Sequence, residues 1–395
     1  MTSEEAYIRK RIWSARIQSI PFYLCRIFPI KRKKIVFCCI EGTTGYTCNP
    51  KYIAEELIRR NEGYELVWLV DDTTKEFPKE IHVARNTLWT RAYHLSTARF
   101  WIDNSRKQLE ARKRKGQTYI QTWHGMLGFK PNCLERGASF PRLAYLVSKH
   151  DSDMIDYILS NSECFDKRMP AAMMYRGPML RTGSPRCDIL VNGAVEARKR
   201  VRQDYGLAED ANILMYAPTF RGGSQGTVRT IAASEGYPDY TRLIRALEKR
   251  FGGKWYIFLR LHPQLVVRGL DQNKSNESVI DVSRVDDLYE LLAGCDAFLT
   301  DYSSAAFDAA VMRIPVFLYA DDYAEYERER GKLLWDLRKL PFPLAENDEE
   351  LDENIRKFEE KTYQKSLEQL FRETEMTEDG KAAERVVDCI NDEAG

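Results

Sequence analysis

Several absences narrow this chain before any motif does. It has no CxxC pair and no Cys/His cluster at zinc-ligand spacing, so its nine cysteines, Cys38-Cys39 among them, read as reduced thiols of a cytoplasmic protein. Charge of one sign is not in excess: a net charge of +1 excludes a globally basic nucleic-acid binder, and no nucleic acid is expected as partner. There is no Walker lysine loop. The carboxylate pairs Asp71-Asp72 and Asp321-Asp322 are sequence neighbours that point to opposite sides of an extended chain and chelate poorly, so neither a metal nor another cofactor is expected. Internal repeats and low-complexity stretches are also missing. No uninterrupted apolar core is followed by a small-residue cleavage site, which argues against a secretory signal.

What is present first is a basic, aromatic beginning. Between Met1 and Lys34 stand nine Lys/Arg against Glu4 and Glu5, interleaved with Tyr7, Ile8, Ile12, Trp13, Ile17, Ile20, Phe22, Tyr23, Leu24, Ile27 and Phe28. Arg26 breaks the apolar run and Pro21 and Pro29 bracket it, far short of the roughly 20 apolar residues a span requires. Residues 1–33 therefore read as a segment that lies on an anionic membrane surface, or as a helix packed on the protein itself with its basic face in water.

The remaining chain, with 44% hydrophobic and 11% aromatic residues in 395, is long enough for two ordinary domains. Short β-like runs alternate with helical segments. Lys34–Ile40, Glu65–Val70, Arg99–Ile102 and Thr118–Thr122 read as strands, with a helix over Asn49–Arg60. A second cycle runs through Ile213–Tyr216, Trp255–Arg260, Ala297–Leu299 and Pro315–Tyr319. This alternation predicts two doubly wound parallel α/β sheets, one over 34–195 and one over 196–345, with closing helices over 346–395.

Ligands of open α/β sheets bind beyond the carboxyl ends of the strands. The predicted strands end in Thr122-Trp123-His124-Gly125, Ala217-Pro218-Thr219-Phe220-Arg221, Leu261-His262-Pro263 and Thr300-Asp301-Tyr302-Ser303-Ser304. The last of these opens a helix, the arrangement in which unpaired backbone N–H groups and hydroxyls seat a phosphate; an ordinary helix cap has the same composition. Two of only five histidines fall at such positions. The set suits transfer from a pyrophosphate-activated donor. Arg260, Arg221 and His262 supply positive charge, Ser303 and Ser304 supply donors, and His124 is the expected base for an acceptor hydroxyl. Thr219 and Asp301 join the same strand-end group.

At this point the residues carry a resemblance. Gln121-Thr122-Trp123-His124-Gly125, Gly183-Ser184-Pro185-Arg186-Cys187-Asp188, Tyr216 through Arg221, Arg260-Leu261-His262-Pro263, Asp301-Tyr302-Ser303-Ser304 and Tyr326 through Arg330-Gly331 resemble, in order, the motif set of the CDP-glycerol glycerophosphotransferase family. Asn49-Pro50-Lys51-Tyr52 is similar to its first βαβ unit. The resemblance implies two Rossmann-like domains of GT-B type with a cleft between them, a CDP-glycerol or CDP-ribitol donor, a lipid-linked or polysaccharide acceptor, and peripheral attachment to the cytoplasmic membrane face. It implies that His124 is the base, that His262 contacts the donor phosphates, that Ser303 and Ser304 form the phosphate seat, and that Gly125, Arg186, Asp188 and Arg330 support the cleft; Asp188 also reads as a helix cap. After Trp-His-Gly the family commonly has Thr-Pro-Leu-Lys, whereas here Met126-Leu127-Gly128-Phe129-Lys130 places the lysine one position later. That loop is expected to touch the acceptor or the donor's polyol. A nucleotide-sugar glycosyltransferase of the same fold and a catalytically inactive membrane-associated scaffold are the competing readings.

Overall fold

The computed structural model describes residues 3–219, 237–261, 277–330 and 332–394. They form two compact units: one comprises residues 1–126, 132–188 and 376–395, the other 127–131 and 189–375. Each unit is built on its own parallel sheet.

In the first unit the strands are β1 (Lys31–Cys38), β2 (Glu65–Val70), β3 (Ile81–Arg85), β4 (Ala98–Asp103), β5 (Thr118–Gln121), β6 (Tyr157–Ser160) and β7 (Met179–Arg181). Their order is β3-β2-β1-β4-β5-β6-β7, all parallel. The strands read as unbroken apolar runs because both faces are covered: Ile35, Val36, Phe37, Val67, Trp68, Phe100, Trp101 and Tyr119 are all buried. The chain winds outward from β1 through β2 and β3, then returns across the sheet to β4. The point of reversal is therefore between β1 and β4, where such sheets open a crevice at their carboxyl ends.

Helix Cys48–Arg60 follows β1, tolerates Pro50 in its first turn, and stops at Asn61 in the left-handed conformation (φ 51°). The basic beginning of the chain is helical over Ser3–Gln18 and Ile20–Leu24. The reading of this segment as a helix packed on the protein itself is met in part. Ile8, Ala15, Phe22 and Cys25 are buried, and Phe22 and Cys25 belong to the core of the unit. Ser96 donates to the Phe22 carbonyl (3.2 Å) and Arg114 to that of Phe28 (2.8 Å). On the outside, Tyr7, Trp13, Ile17, Ile20, Tyr23, Leu24, Ile27 and Phe28 remain exposed, Ile27 to 81%.

The second unit holds β8 (Asn212–Tyr216), β9 (Trp255–Leu259), β10 (Val279–Asp281), β11 (Ala297–Thr300), β12 (Val316–Tyr319) and β13 (Leu344–Ala345) in the order β10-β9-β8-β11-β12-β13, again parallel. Its reversal point is between β8 and β11. The closing residues do not stay together. Helices Asp348–Arg356 and Glu360–Thr374 pack with the second unit, while Ala382–Ala394 returns to the first, burying Val386, Val387 and Ile390 in that unit's core.

Candidate active site

His124 follows β5, in a loop whose preceding residue, Trp123, is held in the left-handed conformation (φ 52°). The strain is restrained from several sides. Trp123 N donates to Gln121 Oε1 (2.9 Å), and Asn49 Nδ2 donates to the carbonyls of Thr122 and Trp123, each at 3.1 Å. Asn49 Oδ1 in turn accepts from Arg186 N (3.1 Å). The indole of Trp123 stacks on the imidazole, with centroids 4.7 Å apart.

The imidazole is oriented by one bond. Nδ1 of His124 lies 2.6 Å from the carbonyl oxygen of Asn104, and a carbonyl can only accept, so Nδ1 carries the proton and Nε2 keeps its lone pair. Although the ring retains exposed surface, the protein crowded around it displaces water, and this lowers the His124 pKa below 6.5; the Asn104 bond opposes the shift, while Arg186 and Arg106 add to it. The neutral imidazole is thus the form present at neutral pH.

Asn104 belongs to a turn that is itself tied down. Asp103 accepts from Ser105 N (2.8 Å) and from Lys107 Nζ, and its carbonyl accepts from Thr122 N (2.8 Å). Arg186, 3% exposed, reaches Cys48 Sγ (3.6 Å) and places its charge where it acts on His124. Gly125 continues the loop. Asp188 takes the capping role: its two oxygens accept from Ala382 N (2.9 Å) and Ala383 N (2.8 Å) at the start of the last helix, and burial pushes its pKa up to about 6.

In the second unit the loops after β8 and β11 meet. Asp301 accepts from Thr219 N with both oxygens (3.0 and 2.9 Å) and from Tyr302 N (2.5 Å), while Thr300 Oγ1 donates to the Ala217 carbonyl (2.6 Å). A carboxylate in this position organises the loop; as an acceptor-only group it does not receive a phosphate. Ser303 Oγ accepts from Ala305 N (3.3 Å) at the start of helix Ala305–Val311. The Ser304 hydroxyl makes no hydrogen bond among the described residues. Asp308 anchors the helix by accepting from Tyr289 OH (2.6 Å).

Arg260 follows β9, but its guanidinium donates to the carbonyls of Val282 (3.3 Å), Val285 (2.6 Å) and Asp286 (3.2 Å). It therefore holds the loop after β10 instead of standing free for a phosphate. His262 and Arg221 lie outside the described residues, as does the side chain of Arg330 at the end of helix Tyr323–Arg330.

The departing loop after His124 packs within the second unit. Phe129 O accepts from Leu334 N (2.8 Å), Gly128 O accepts from Trp335 Nε1 (3.1 Å), and the Phe129 ring lies against Phe307 (5.0 Å). A Cβ added at Gly128 would stand 3.3 Å from that of Ser304. Lys130 Nζ sits 5.7 Å from the centroid of Tyr326, which stacks on Tyr302 at 3.8 Å. The loop is thus part of the serine neighbourhood. Asn104 escaped the reading of the sequence because its contacts join strand ends far apart in the chain; Asn49 was marked only as the Asn-Pro start of a helix, and Gly128 only as part of the loop after Trp-His-Gly.

Two parallel doubly wound units define an α/β fold of GT-B type. The chain belongs to the CDP-Glycerol:Poly(glycerophosphate) glycerophosphotransferase family, whose model matches residues 21–392. It is 26% identical over 386 residues to the teichoic acid poly(glycerol phosphate) polymerase of Bacillus spizizenii, covering 94% of this chain and 95% of that one. It is 28% identical to the teichoic acid glycerol-phosphate transferase of Staphylococcus aureus, covering 87% and 90% respectively. Of the Staphylococcus epidermidis poly(glycerol phosphate) polymerase it spans only 51%. Among solved structures, that of the wall teichoic acid polymerase TagF with CDPG matches with a TM-score of 0.80 at 25% identity, covering 100% of this chain and 98% of the other.

Proposed function

We propose that this chain transfers glycerol phosphate from CDP-glycerol to a hydroxyl of a lipid-linked or polysaccharide acceptor, releasing CMP, in the synthesis of a teichoic-acid-type polymer. The observation that carries the chemistry is the bond from His124 Nδ1 to the Asn104 carbonyl, which leaves Nε2 as the proton acceptor. In this reading Nε2 takes the acceptor's proton as its oxygen bonds to the phosphorus bearing glycerol. The bond from that phosphorus to the oxygen bridging to CMP breaks, and CMP leaves with the electron pair. Ser303 and Ser304 donate to the donor phosphates, and His262 is assigned to the same task.

Glycerol is favoured over ribitol as the polyol because the two relatives matched over nine-tenths of their length carry glycerol phosphate in their names. Among the described residues no helix is long and apolar enough to cross a membrane. The exposed aromatic and aliphatic residues between Tyr7 and Phe28, set among arginines and lysines, support attachment to the cytoplasmic face of an anionic membrane, where a lipid-linked acceptor would be met. The test is CMP release from CDP-glycerol, with CDP-ribitol and UDP-sugars as parallel donors. Sugar transfer would favour the glycosyltransferase reading, and no turnover of any donor would favour an inactive scaffold.

A further inference from the structure

The loop after β1 is the most strained described backbone near the first unit's point of reversal, and nothing in the mechanism above uses it. Ile40 (φ 43°), Glu41 (φ 59°, ψ 17°) and Gly42 (φ 93°) are consecutive residues in the left-handed region. Only the glycine adopts this conformation readily; for β-branched Ile40 it is a real cost. The strain persists because the turn is held from all sides. Asn104 Oδ1 accepts from Ile40 N (2.8 Å), Ser105 Oγ from Glu41 N (2.9 Å), and the Glu41 carbonyl from Asn86 Nδ2 (2.8 Å). Gly42 N donates to Cys39 O and Gly42 O accepts from Asp71 N, both at 2.8 Å. Even a methyl group at position 42 would meet Asn86 Nδ2 at 2.4 Å.

So rigid a turn presents an exposed side chain whose carboxylate makes no ion pair or hydrogen bond among the described residues. Asn104 links the turn to the base, because its side chain holds Ile40 N while its carbonyl orients His124. Backbone strain of this kind is characteristic of sites where a side chain must be aimed.

We propose that Glu41 is an acceptor-binding residue that recognises a terminal diol, an inference that rests on the polyol-phosphate transfer proposed above. A carboxylate offers two acceptor oxygens, which match the two O–H donors of a 1,2-diol, and it repels a phosphate monoester at the same place. It thereby orients one hydroxyl for deprotonation by His124 and selects the uncharged end of the acceptor. The exposed Ile40 beside it supplies an apolar contact for the carbon chain.

The test uses the full chain with Glu41→Gln and Glu41→Ala. CMP release from CDP-glycerol is followed against two synthetic acceptors, one ending in a glycerol 1,2-diol and the other in the corresponding phosphate monoester. The diol acceptor's KM is expected to rise at least tenfold in Glu41→Ala and less in Glu41→Gln, which keeps one acceptor oxygen. Preference for the diol over the monoester should shrink, with CMP affinity and Tm unchanged. An active parent enzyme whose diol KM and acceptor preference survive Glu41→Ala overturns the assignment. A parent enzyme that releases no CMP from CDP-glycerol overturns instead the function on which it rests.

Discussion

His124 Nδ1 and the Asn104 carbonyl oxygen, 2.6 Å apart, place the tautomer of the proposed base under backbone control. Carbonyl groups do not titrate, so the orientation of the ring does not depend on the protonation of a partner. Asn104 is fully buried, between the loops that follow β1 and β5. Small displacements of this turn would therefore misdirect Nε2 without changing any group that touches substrate.

Ser303 and Ser304 are expected to bind the donor phosphates. Replacing both with alanine should weaken binding of CMP and CDP-glycerol as well as turnover, since a hydrogen bond to a charged group contributes about 1.5–3 kcal/mol. Calorimetric titration with CMP checks this. Unchanged affinity in a folded variant would place the donor elsewhere.

Asp151 gives the first unit a pH-dependent stability. Its Oδ1 accepts from Lys107 N (2.8 Å) and Tyr119 OH (3.1 Å), its Oδ2 has no partner among the described residues, and burial raises its pKa to about 7. The folded state thus holds this proton more tightly than the unfolded chain. The contribution is complete below the ordinary carboxylate value of 3.8, falls as pH rises toward about 7, and is flat above. Denaturant titrations from pH 4 to 8 should show a steeper falling limb in the parent than in Asp151→Asn, which keeps only the smaller fall contributed by Asp188; identical pH slopes would remove Asp151 as a source.

Membrane attachment is best tested by substitution. Deleting residues 1–30 would remove Phe22 and Cys25 from the core of the first unit, so the truncated chain is expected to lose stability rather than stay intact. Trp13→Ala together with Arg9→Glu and Arg16→Glu changes exposed positions only. Each basic residue near an anionic surface contributes about 1 kcal/mol, so this triple variant should co-sediment much less with anionic liposomes, as should the parent at high salt. Equal sedimentation of parent and variant would count against the membrane surface.

Much of the fold was legible because buried parallel strands leave continuous apolar runs. Glu65–Val70 is bounded as its sequence suggests, and Ala98–Asp103 and Trp255–Leu259 differ from expectation only at their ends. Strands such as Tyr157–Ser160 and Met179–Arg181 were missed; they are short, and the second lies at the sheet edge with polar neighbours. Strand-end motifs placed His124 and the two serines just after strands, where the structure also has them. Roles within those motifs were less legible. Asp301 and Arg260 have charges that suggest ligands, yet each is engaged with backbone groups brought near only by folding, while Asp188 caps a helix, which was one of its two expected roles. Glu41 carried no sequence signal at all, since its significance lies in a left-handed turn and in the partners that enforce it.

The central claim is that His124 acts as the base in glycerol phosphate transfer. The most direct measurement is acceptor-dependent CMP release from CDP-glycerol by the full chain and by His124→Ala, with CMP affinity determined in parallel. The parent should turn over, and the variant should lose about 10²–10⁴ in kcat while binding CMP as before. A His124→Ala enzyme within a few-fold of the parent would contradict the assignment.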